Sequence, residues 1–404
     1  MNRIVVVGAG PVGAVLALAL ARAEFQVTLI EAETTTNTAP RAATLHPSTL
    51  EMLASLGMID EVVRRGLVAR YFDFWDRVTL SRVARFDHHV LAGDTRYPFV
   101  VQLEQHKLVD IALTELRCFD NAQILFSTTA NRIEQHSDGV RIEAVHQGET
   151  VQVDCDLVVG ADGGRSFVRK SQDIEFEGFT WPERFIVWTT SFEFESERPY
   201  SYRNYLADPE EWTNLFKVAG DDGKGRWRAV FPVPHDRSDQ EAVSDVAARR
   251  SLACITGNDA AFDLLEHRNL YRVHQRVART LRAGRALLVG DAAHVNNPIG
   301  GLGLNSGIHD VTDLVSTLRE LREGGPDELL DRYSDRRREL NIAYVQRQTT
   351  ENKKRLETQD PAIRVKRLQE LSQAAESMEL ARAFLLNTSL LASVRDRFET
   401  ASSG

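Results

Sequence analysis

The sequence predicts an α/β fold built around a parallel sheet, and three apolar segments of similar design support this prediction. Residues 4–7, 157–159 and 286–289 are apolar throughout, as strands buried on both faces of a parallel sheet must be. Each segment runs directly into a glycine-containing turn. With 404 residues, 43% of them hydrophobic, the chain is long enough for more than one domain with a proper core.

The first of these segments leads into a turn of the dinucleotide-binding type. Gly8, Gly10 and Gly13 have the spacing that lets the chain turn tightly, approach a pyrophosphate and pack the following helix on the strand. That helix begins near Pro11 and directs its N-terminal amides towards the phosphates. Glu31 ends a second apolar run, at the offset of about twenty residues where an acid binds a ribose diol. An ordinary tight turn, the alternative, leaves this acid unexplained.

An aspartate also follows the second apolar segment. Asp162 precedes Gly163 and Gly164, and Arg165 and Arg169 come next. Because ligands of open α/β sheets bind at the carboxyl ends of the strands, Asp162 is placed to contact one. The two arginines are candidates for a second, transient anionic ligand. A solvated turn with surface arginines is the alternative interpretation.

The third apolar segment delivers a further aspartate, Asp291, which is placed to bond a polyol hydroxyl. A glycine-dense loop over residues 298–303 then leads into a helix. The amides of Gly303, Leu304 and Asn305 at its start are placed to stabilise negative charge. His294 has no acidic or thiol partner nearby in the sequence, and we interpret it as structural. A glycine-rich lid is the alternative for this segment.

The composition argues against a nucleic-acid partner and favours a cytoplasmic location. A net charge of −9 argues against a nucleic-acid partner, because phosphate binding needs a basic face. The three cysteines are scattered without metal-ligand spacing and fit a reducing compartment. The chain starts with a strand rather than a signal peptide, and its longest apolar run, residues 12–21, is too short to cross a bilayer. We therefore expect neither a metal site nor a membrane partner.

The character of the sequence changes between the second and third apolar segments. Aromatic and alternating runs over 185–188, 215–218 and 227–231 predict a sheet-rich second domain inserted into the first. Near the C-terminus, apolar residues from Leu368 to Ala381 predict one amphipathic helix. The expected division is a first domain of residues 1–75, 101–175 and 270–345, a second of 76–100 and 176–269, and a helical segment of 346–404.

Taken in order, these three turns resemble those of the single-component FAD-dependent aromatic hydroxylases, the p-hydroxybenzoate hydroxylase-like (group A) flavoprotein monooxygenases. Residues 41–51 resemble the arginine-bearing loop of that family, and residues 103–108 resemble its ribityl-binding segment. The resemblance covers about residues 1–345. It implies a Rossmann-like FAD-binding domain with an inserted, sheet-rich substrate domain, followed here by a helical tail.

The resemblance also implies roles for single residues. Glu31 would hold the adenosine ribose, Arg41 would lie near the phosphates, and Pro298 would sit beside the reactive edge of the isoalloxazine. Gln105 would contact the ribityl chain, with Gln102 as the alternative register. The full set implied for FAD is Gly8, Gly10, Pro11, Val12, Gly13, Glu31, Arg41, Gln105, Asp162, Gly163, Asp291, Pro298, Gly301, Gly303, Leu304 and Asn305.

The reaction implied by the resemblance uses NADH or NADPH and O2. The nicotinamide reduces FAD, O2 adds at C4a of the reduced flavin, and the hydroperoxide hydroxylates a phenolic or hydroxylated heteroaromatic ring. No second dinucleotide turn with its own acid is present, so NAD(P)H is expected to dock transiently, with Arg165 and Arg169 as candidate contacts. Pro298, His46 and Tyr205 are the catalytic candidates.

Several points stay open at this level. The residue that handles the substrate proton is open among His46, Tyr205, Tyr202 and Arg203. Two alternative functions are a flavin monooxygenase acting on a larger secondary metabolite or antibiotic, and a non-oxygenating flavin reductase or redox scaffold. The choice of nicotinamide and the oligomeric state, with a homodimer as one option, are also open. Aromatic candidates for the ring pocket are Trp188, Phe216, Trp227 and Phe231.

Overall fold

Two large sheets, one mostly parallel and one mostly antiparallel, organise the structure. The computed structural model describes residues 2–39 and 43–395, and Arg41 lies outside these ranges. In chain order the strands are β1 Arg3–Val7, β2 Gln26–Ile30, β3 Thr44–Leu45, β4 Leu67–Ala69, β5 Tyr71–Asp76, β6 Ser81–Asp87, β7 Val100–Gln102, β8 Ala122–Leu125, β9 Thr128–Gln135, β10 Val140–His146, β11 Glu149–Cys155, β12 Leu157–Gly160, β13 Phe176–Thr190, β14 Arg203–Ala207, β15 Thr213–Val218, β16 Arg226–Val233, β17 Leu265–Ala278, β18 Arg282–Ala283, β19 Ala286–Leu288 and β20 His294–Val295.

The helices lie between these strands and, after β20, make up most of the remaining chain. A π-helical turn, Asn341–Gln346, joins two of them. In chain order the helices are α1 Pro11–Arg22, α2 Pro47–Ser55, α3 Ile59–Arg65, α4 Gln105–Leu116, α5 Phe167–Ser171, α6 Asp239–Ala242, α7 Asp245–Thr256, α8 Ala260–Asp263, α9 Gly303–Arg322, α10 Glu328–Leu340, α11 Arg347–Leu356, α12 Pro361–Glu376 and α13 Met378–Thr388.

The six-stranded sheet has the order β18-β19-β12-β1-β2-β8, and its pairs are parallel except at the β18 edge. All three predicted apolar segments lie here as neighbouring strands. Their carboxyl ends therefore meet at one edge of the sheet, next to the end of β2. Helix α1 is buried along residues 12–21 because it packs between this sheet and helices α4 and α9. This run is a core helix.

The eight-stranded sheet has the order β20-β17-β13-β16-β15-β14-β5-β6 and carries an apolar cluster on each face. Helices α7 and α8 contribute to one cluster, and α12 and α13 contribute to the other. The predicted fold class is thus confirmed: a parallel α/β sheet, a second sheet-rich unit and a helical C-terminus. The predicted domain boundaries stay a prediction, and β5 and β17 cross them at 75/76 and 269/270.

The prediction of a single helix from Leu368 to Ala381 is wrong, because Ser377 interrupts the helix and separates α12 from α13. Ser377 has an extended backbone, with φ −99° and ψ 121°, and its side chain accepts a hydrogen bond from the amide of Leu380. It therefore caps α13 at its N-terminus, as serine favours. Met378, which the apolar pattern placed on the buried face, is 78% exposed.

The described residues contain no helix that combines the length and apolar character of a membrane span. Within the same ranges, no group of three or more His, Cys, Asp and Glu side chains is arranged to hold a metal ion.

Candidate active site

A groove of about 530 Å³ runs along the edge where the strands of the parallel sheet end. The sheet order places the ends of β19, β12, β1 and β2 side by side. The three strand-end turns of the sequence therefore meet at one surface, together with the acid that follows β2. Sequence-predicted residues that line the groove are Gly8, Gly10, Pro11, Val12, Glu31, Gln105, Asp162, Gly163, Arg165, Asp291 and Leu304.

Close backbone contacts require two of the three glycines of the first turn. Gly8 has φ +103°, and a Cβ built on it would lie 2.6 Å from the carbonyl oxygen of Ala161. A Cβ on Gly13 would lie 1.9 Å from the carbonyl oxygen of Gly8, so α1 packs directly on the turn. A Cβ on Gly10 would meet no atom within 4 Å. Gly10 thus presents bare backbone to the groove, which suits a pyrophosphate.

The acids at the strand ends are held by backbone amides. Glu31 accepts hydrogen bonds from the amides of Ala9, at 2.6 Å, and Glu33, at 3.0 Å. Asp162 Oδ2 accepts from the amides of Phe167 and Val168 at the start of α5. Its other oxygen, Oδ1, is buried and has no hydrogen-bond partner among the described residues. A buried oxygen left in this way fits a site that a polar ligand completes.

The third turn is fixed by an acid that the sequence did not reveal as important. Asp310, on α9, accepts from the amide of Gly290 at 2.9 Å and lies 2.7 Å from His294 Nε2. Its second oxygen accepts from Arg337 Nε at 2.7 Å. Burial alone would raise the pKa of Asp310, but its interactions with His294, Arg337 and the Gly290 amide outweigh burial and lower the pKa to about 2. His294 therefore lies within a structural network.

The two candidate arginines occupy different environments. Arg165 lines the groove, whereas Arg169 is only 3% exposed. The guanidinium of Arg169 donates to the carbonyls of Ala292 and Gly164 and lies 3.8 Å from the ring centroid of Phe176. It ties the second strand-end turn to the third. Arg165 is therefore the better placed of the two for a transient anion.

The two glutamines considered for the ribityl chain lie in different environments. Gln105 begins α4 and lines the groove, whereas Gln102 is buried in β7 and accepts a hydrogen bond from Thr44 Oγ1. Asn305 is buried and joins two loops, since its side chain contacts the backbone of His46 and Gly301. Some residues predicted to bind FAD lie in the loop over 298–303 or in the first turn of α9 and are not among the described residues that line the groove. They are Pro298, Gly301, Gly303 and Asn305.

A second polar cluster lies against this loop. His46 Nε2 is 2.9 Å from the Gly300 carbonyl, and Arg203 donates to the same oxygen at 3.2 Å. Tyr205 is two residues further along β14 on the same face as Arg203, and both are buried. The structure thus brings His46, Arg203 and Tyr205 together at Gly300, two residues after Pro298. The sequence predicted these three residues, together with Tyr202, as candidates for handling the substrate proton.

His88 completes the cluster, and sequence reasoning missed it. Its Nδ1 is 2.8 Å from the carbonyl of Arg70. Burial, reinforced by the charge of Arg203, lowers the pKa of His88 to about 4 and that of His46 well below its usual value. Burial raises the pKa of Tyr205, and Arg203 opposes this rise. Both imidazoles are therefore neutral at pH 7.

The remaining aromatic candidates lie mostly elsewhere. Trp188, Trp227 and Phe231 belong to the cluster on the opposite face of the eight-stranded sheet, with Tyr202 packed against them. Phe216 packs against the cluster that contains Tyr205. Strand alternation places Tyr202 and Tyr205 on opposite faces, and the sequence alone did not tell which face was which.

The chain matches known proteins over nearly its whole length. Residues 1–348 match the family described as FAD binding domain. The para-nitrophenol 4-monooxygenase of Pseudomonas sp. (strain WBC-3) is 31% identical over 394 residues, which is 96% of this chain and 95% of that protein. The 6-hydroxy-3-succinoylpyridine 3-monooxygenase of Pseudomonas putida (strain DSM 28022 / S16) is 32% identical, over 89% of this chain and 90% of that protein.

The fold has the same extent of similarity. A crystal structure of p-nitrophenol 4-monooxygenase from Pseudomonas putida DLL-E4 superimposes with a TM-score of 0.89 at 30% sequence identity. The superposition covers 96% of this chain and 98% of that one. The helical C-terminus, which extends past residue 348, therefore lies largely within the shared fold.

Proposed function

Because this chain belongs to the FAD binding domain family and is an FAD-dependent aromatic hydroxylase, as its sequence predicted, we propose where its FAD and its ring substrate bind. FAD lies along the groove at the strand ends, and the ring lies at the cluster of His46, Arg203 and Tyr205. The observation that carries this proposal is the convergence of Gly8, Glu31, Asp162 and Asp291 on one groove. When bound, FAD supplies the redox chemistry that moves one oxygen atom from O2 to the ring.

Contacts along the groove support an orientation for FAD. Glu31 lies at the end of β2, which suits the adenosine ribose, and Gly10 at the start of α1 suits the pyrophosphate. Gln105 and Asp291 line the groove where the ribityl chain would extend. The flavin ring would then face the loop over 298–303, with its pyrimidine edge towards the start of α9.

The position of the polar cluster supports its role in substrate binding. Gly300 accepts hydrogen bonds from both His46 and Arg203, so the cluster contacts the loop assigned to the flavin ring. Its members are buried, which excludes water from the site of oxygen transfer. Pro298 precedes Gly300 by two residues and would lie between flavin and ring.

The substrate proposed is a hydroxylated aromatic or heteroaromatic ring. The two relatives described above are named for a nitrophenol and a hydroxypyridine, which supports this class.

NADH or NADPH and O2 are the proposed cosubstrates, with Arg165 at the groove as a contact for the nicotinamide nucleotide. A cytoplasmic location is proposed as well, supported by three unpaired cysteines. The protein is proposed to act without nucleic acid, and a homodimer is its proposed assembly.

The test is oxygen transfer by the purified, flavin-loaded protein. NADH or NADPH oxidation is followed under ¹⁸O-labelled O2 while hydroxylated rings are added one at a time, and products are analysed by mass spectrometry. We expect a ring that accelerates nicotinamide oxidation and gains one labelled oxygen atom. Nicotinamide oxidation that no phenol or hydroxypyridine changes, with no label in any product, would support a non-oxygenating reductase instead.

A further inference from the structure

Arg203 is a buried cation for which the described residues provide no carboxylate partner. It is 4% exposed, and its guanidinium donates to one backbone carbonyl, that of Gly300. One face of it lies 4.0 Å from the ring centroid of Phe72. A second donor nitrogen, Nη1, is buried and makes no hydrogen bond of standard geometry among the residues described. The guanidinium also interacts with the Tyr205 hydroxyl, a neutral group that does not balance its charge. A buried charge in this condition is costly unless another group neutralises it.

Other buried arginines of the chain have acids close by. Arg228 is 5% exposed and lies on the same sheet, and the charges of Glu104 and Asp221 act on it. Arg337 is 3% exposed and pairs with Asp310. Arg203 therefore differs from these two buried arginines, because no acid among the described residues acts on its charge.

The groups around Arg203 leave it as the one strong donor of the cluster. The carbonyls of Gly300 and Arg70 can only accept, so His46 carries its proton on Nε2 and His88 on Nδ1. The opposite nitrogens, His46 Nδ1 and His88 Nε2, are then bare acceptors. Both are buried and have no partner among the described residues, and the hydroxyl of Tyr205 makes no hydrogen bond of standard geometry there.

This set of unpaired atoms has a definite complement. Arg203 Nη1 and the Tyr205 hydroxyl fit an oxygen that carries negative charge, because a charge-assisted hydrogen bond is the strongest available to a guanidinium. The two neutral imidazoles do not compete for that oxygen. They offer lone pairs to O–H or N–H groups elsewhere on the same ring.

We propose that Arg203 selects ring substrates that carry an anionic oxygen, and that the oxygen pairs with its guanidinium beside the Gly300 loop. The proposal rests on the proposed function, since it concerns the ring at the same cluster. A phenolate and a ring carboxylate supply the same chemistry. A neutral ring of the same shape leaves the charge of Arg203 unpaired and therefore binds more weakly.

The experiment titrates the oxidised, FAD-loaded protein with matched rings and follows the flavin absorbance. The pair is 4-nitrophenol, at a pH where it is ionised, and 4-nitroaniline, its neutral counterpart. A second pair, 4-aminobenzoate and 4-aminobenzamide, separates carboxylate from phenolate binding. We expect wild type to prefer the anion of at least one pair. Arg203→Gln should weaken binding of that anion by about thirtyfold or more and leave the neutral ring nearly unchanged.

Two further variants make the result specific. Arg203→Lys keeps a positive charge and should retain part of the preference. Arg228→Gln removes an equally buried arginine of the same sheet and should retain the full preference, even if the protein is less stable.

Equal affinity of wild type for both members of each pair would overturn the proposal. This comparison needs no variant, so the proposal can be tested even if Arg203→Gln folds poorly. An unchanged preference in Arg203→Gln would also overturn it. If wild type hydroxylates neutral rings as well as anionic ones, only this inference fails. If it binds and hydroxylates no ring of either charge, the proposed function fails.

Discussion

His294 Nε2 lies 2.7 Å from the carboxylate of Asp310, at the centre of a buried network that holds the third strand-end turn in place. The same carboxylate accepts from the Gly290 amide and from Arg337. The turn bears Asp291, which lines the groove. The groove therefore depends on a helix residue that does not itself line it.

Replacing Asp310 with asparagine should destabilise the fold and loosen this turn. Removing one partner of a buried ion pair costs about 3–5 kcal/mol, because the other charge is left uncompensated. We expect a lower free energy of unfolding in urea and a weaker affinity for FAD. Asp313→Asn is the control, since Asp313 is equally buried on α9 and pairs with Arg336. It should lower stability more than FAD affinity. Equal FAD loss in both variants would contradict this anchoring role.

Gly8→Ala should abolish tight FAD binding, since its Cβ would push against the Ala161 carbonyl that borders the groove. Gly148→Ala is a matched control. Gly148 also has a positive φ, +91°, but a Cβ there would meet no atom within 4 Å. Each change costs about 1–2 kcal/mol in backbone strain, and only the first distorts the turn. FAD retained on gel filtration distinguishes them. Gly8→Ala protein that keeps its FAD would refute the assignment.

The glycine turns and Asp310 show which parts of the site the sequence could predict and which it could not. The glycine turns and their acids were recognisable because strand, turn and ligand-facing residue are adjacent in the chain. Their convergence on one groove followed from parallel strands, whose carboxyl ends share an edge. Asp310 was not recognised, because its partners His294 and Arg337 are distant in sequence and no local pattern links them.

The same limit applies to other residues. Arg169 was predicted as a candidate contact for a transient anionic ligand, and only the tertiary fold places its guanidinium between two backbone turns. His88 was overlooked because nothing in the sequence around it indicates a function. Its proximity to Arg203, which is distant in sequence, is visible only in the tertiary fold. Ser377 interrupts an apolar pattern that continues on both sides of it, so periodicity suggested one helix where capping produces two.

The buried imidazole of His88 should make stability dependent on pH. Its pKa is lowered to about 4 by burial and by Arg203, whereas an unfolded histidine titrates near 6.5. Between these values the unfolded chain binds more protons, so stability falls as the pH falls from about 6.5 to about 4, by at most about 1.4 kcal/mol per pH unit. His88→Asn keeps a donor for the Arg70 carbonyl and should reduce this slope.

Urea unfolding at about pH 7 and about pH 5 measures the effect. His89→Asn is the control, because His89 is the adjacent residue and its side chain is exposed. It should leave the slope unchanged. A His88→Asn protein with the slope of wild type would show that this imidazole is not the source.

A buried hydrogen bond from α2 should help to anchor the C-terminal segment, in addition to the apolar contacts of α12 and α13. Ser48 Oγ donates to the Ser389 carbonyl at 2.7 Å, and Ser48 is 2% exposed. Ser48→Ala leaves that carbonyl without this donor and also removes the hydrogen bond between Ser48 Oγ and His309 Nε2, which are 3.0 Å apart. The change should cost about 1–3 kcal/mol. Ser55→Ala is the control, since Ser55 Oγ also donates to a carbonyl at 2.7 Å but is exposed. It should change stability by about 0.5 kcal/mol or less. Equal unfolding midpoints for both variants would contradict the prediction.

The flavin content of the purified protein is the most direct measurement of whether the strand-end groove holds FAD. Protein purified in its native state is heated to release bound flavin, which is then identified and quantified by absorbance and chromatography. We predict a yellow protein that releases one FAD per chain. A colourless protein that leaves the fluorescence of added FAD unchanged would contradict the assignment of the groove.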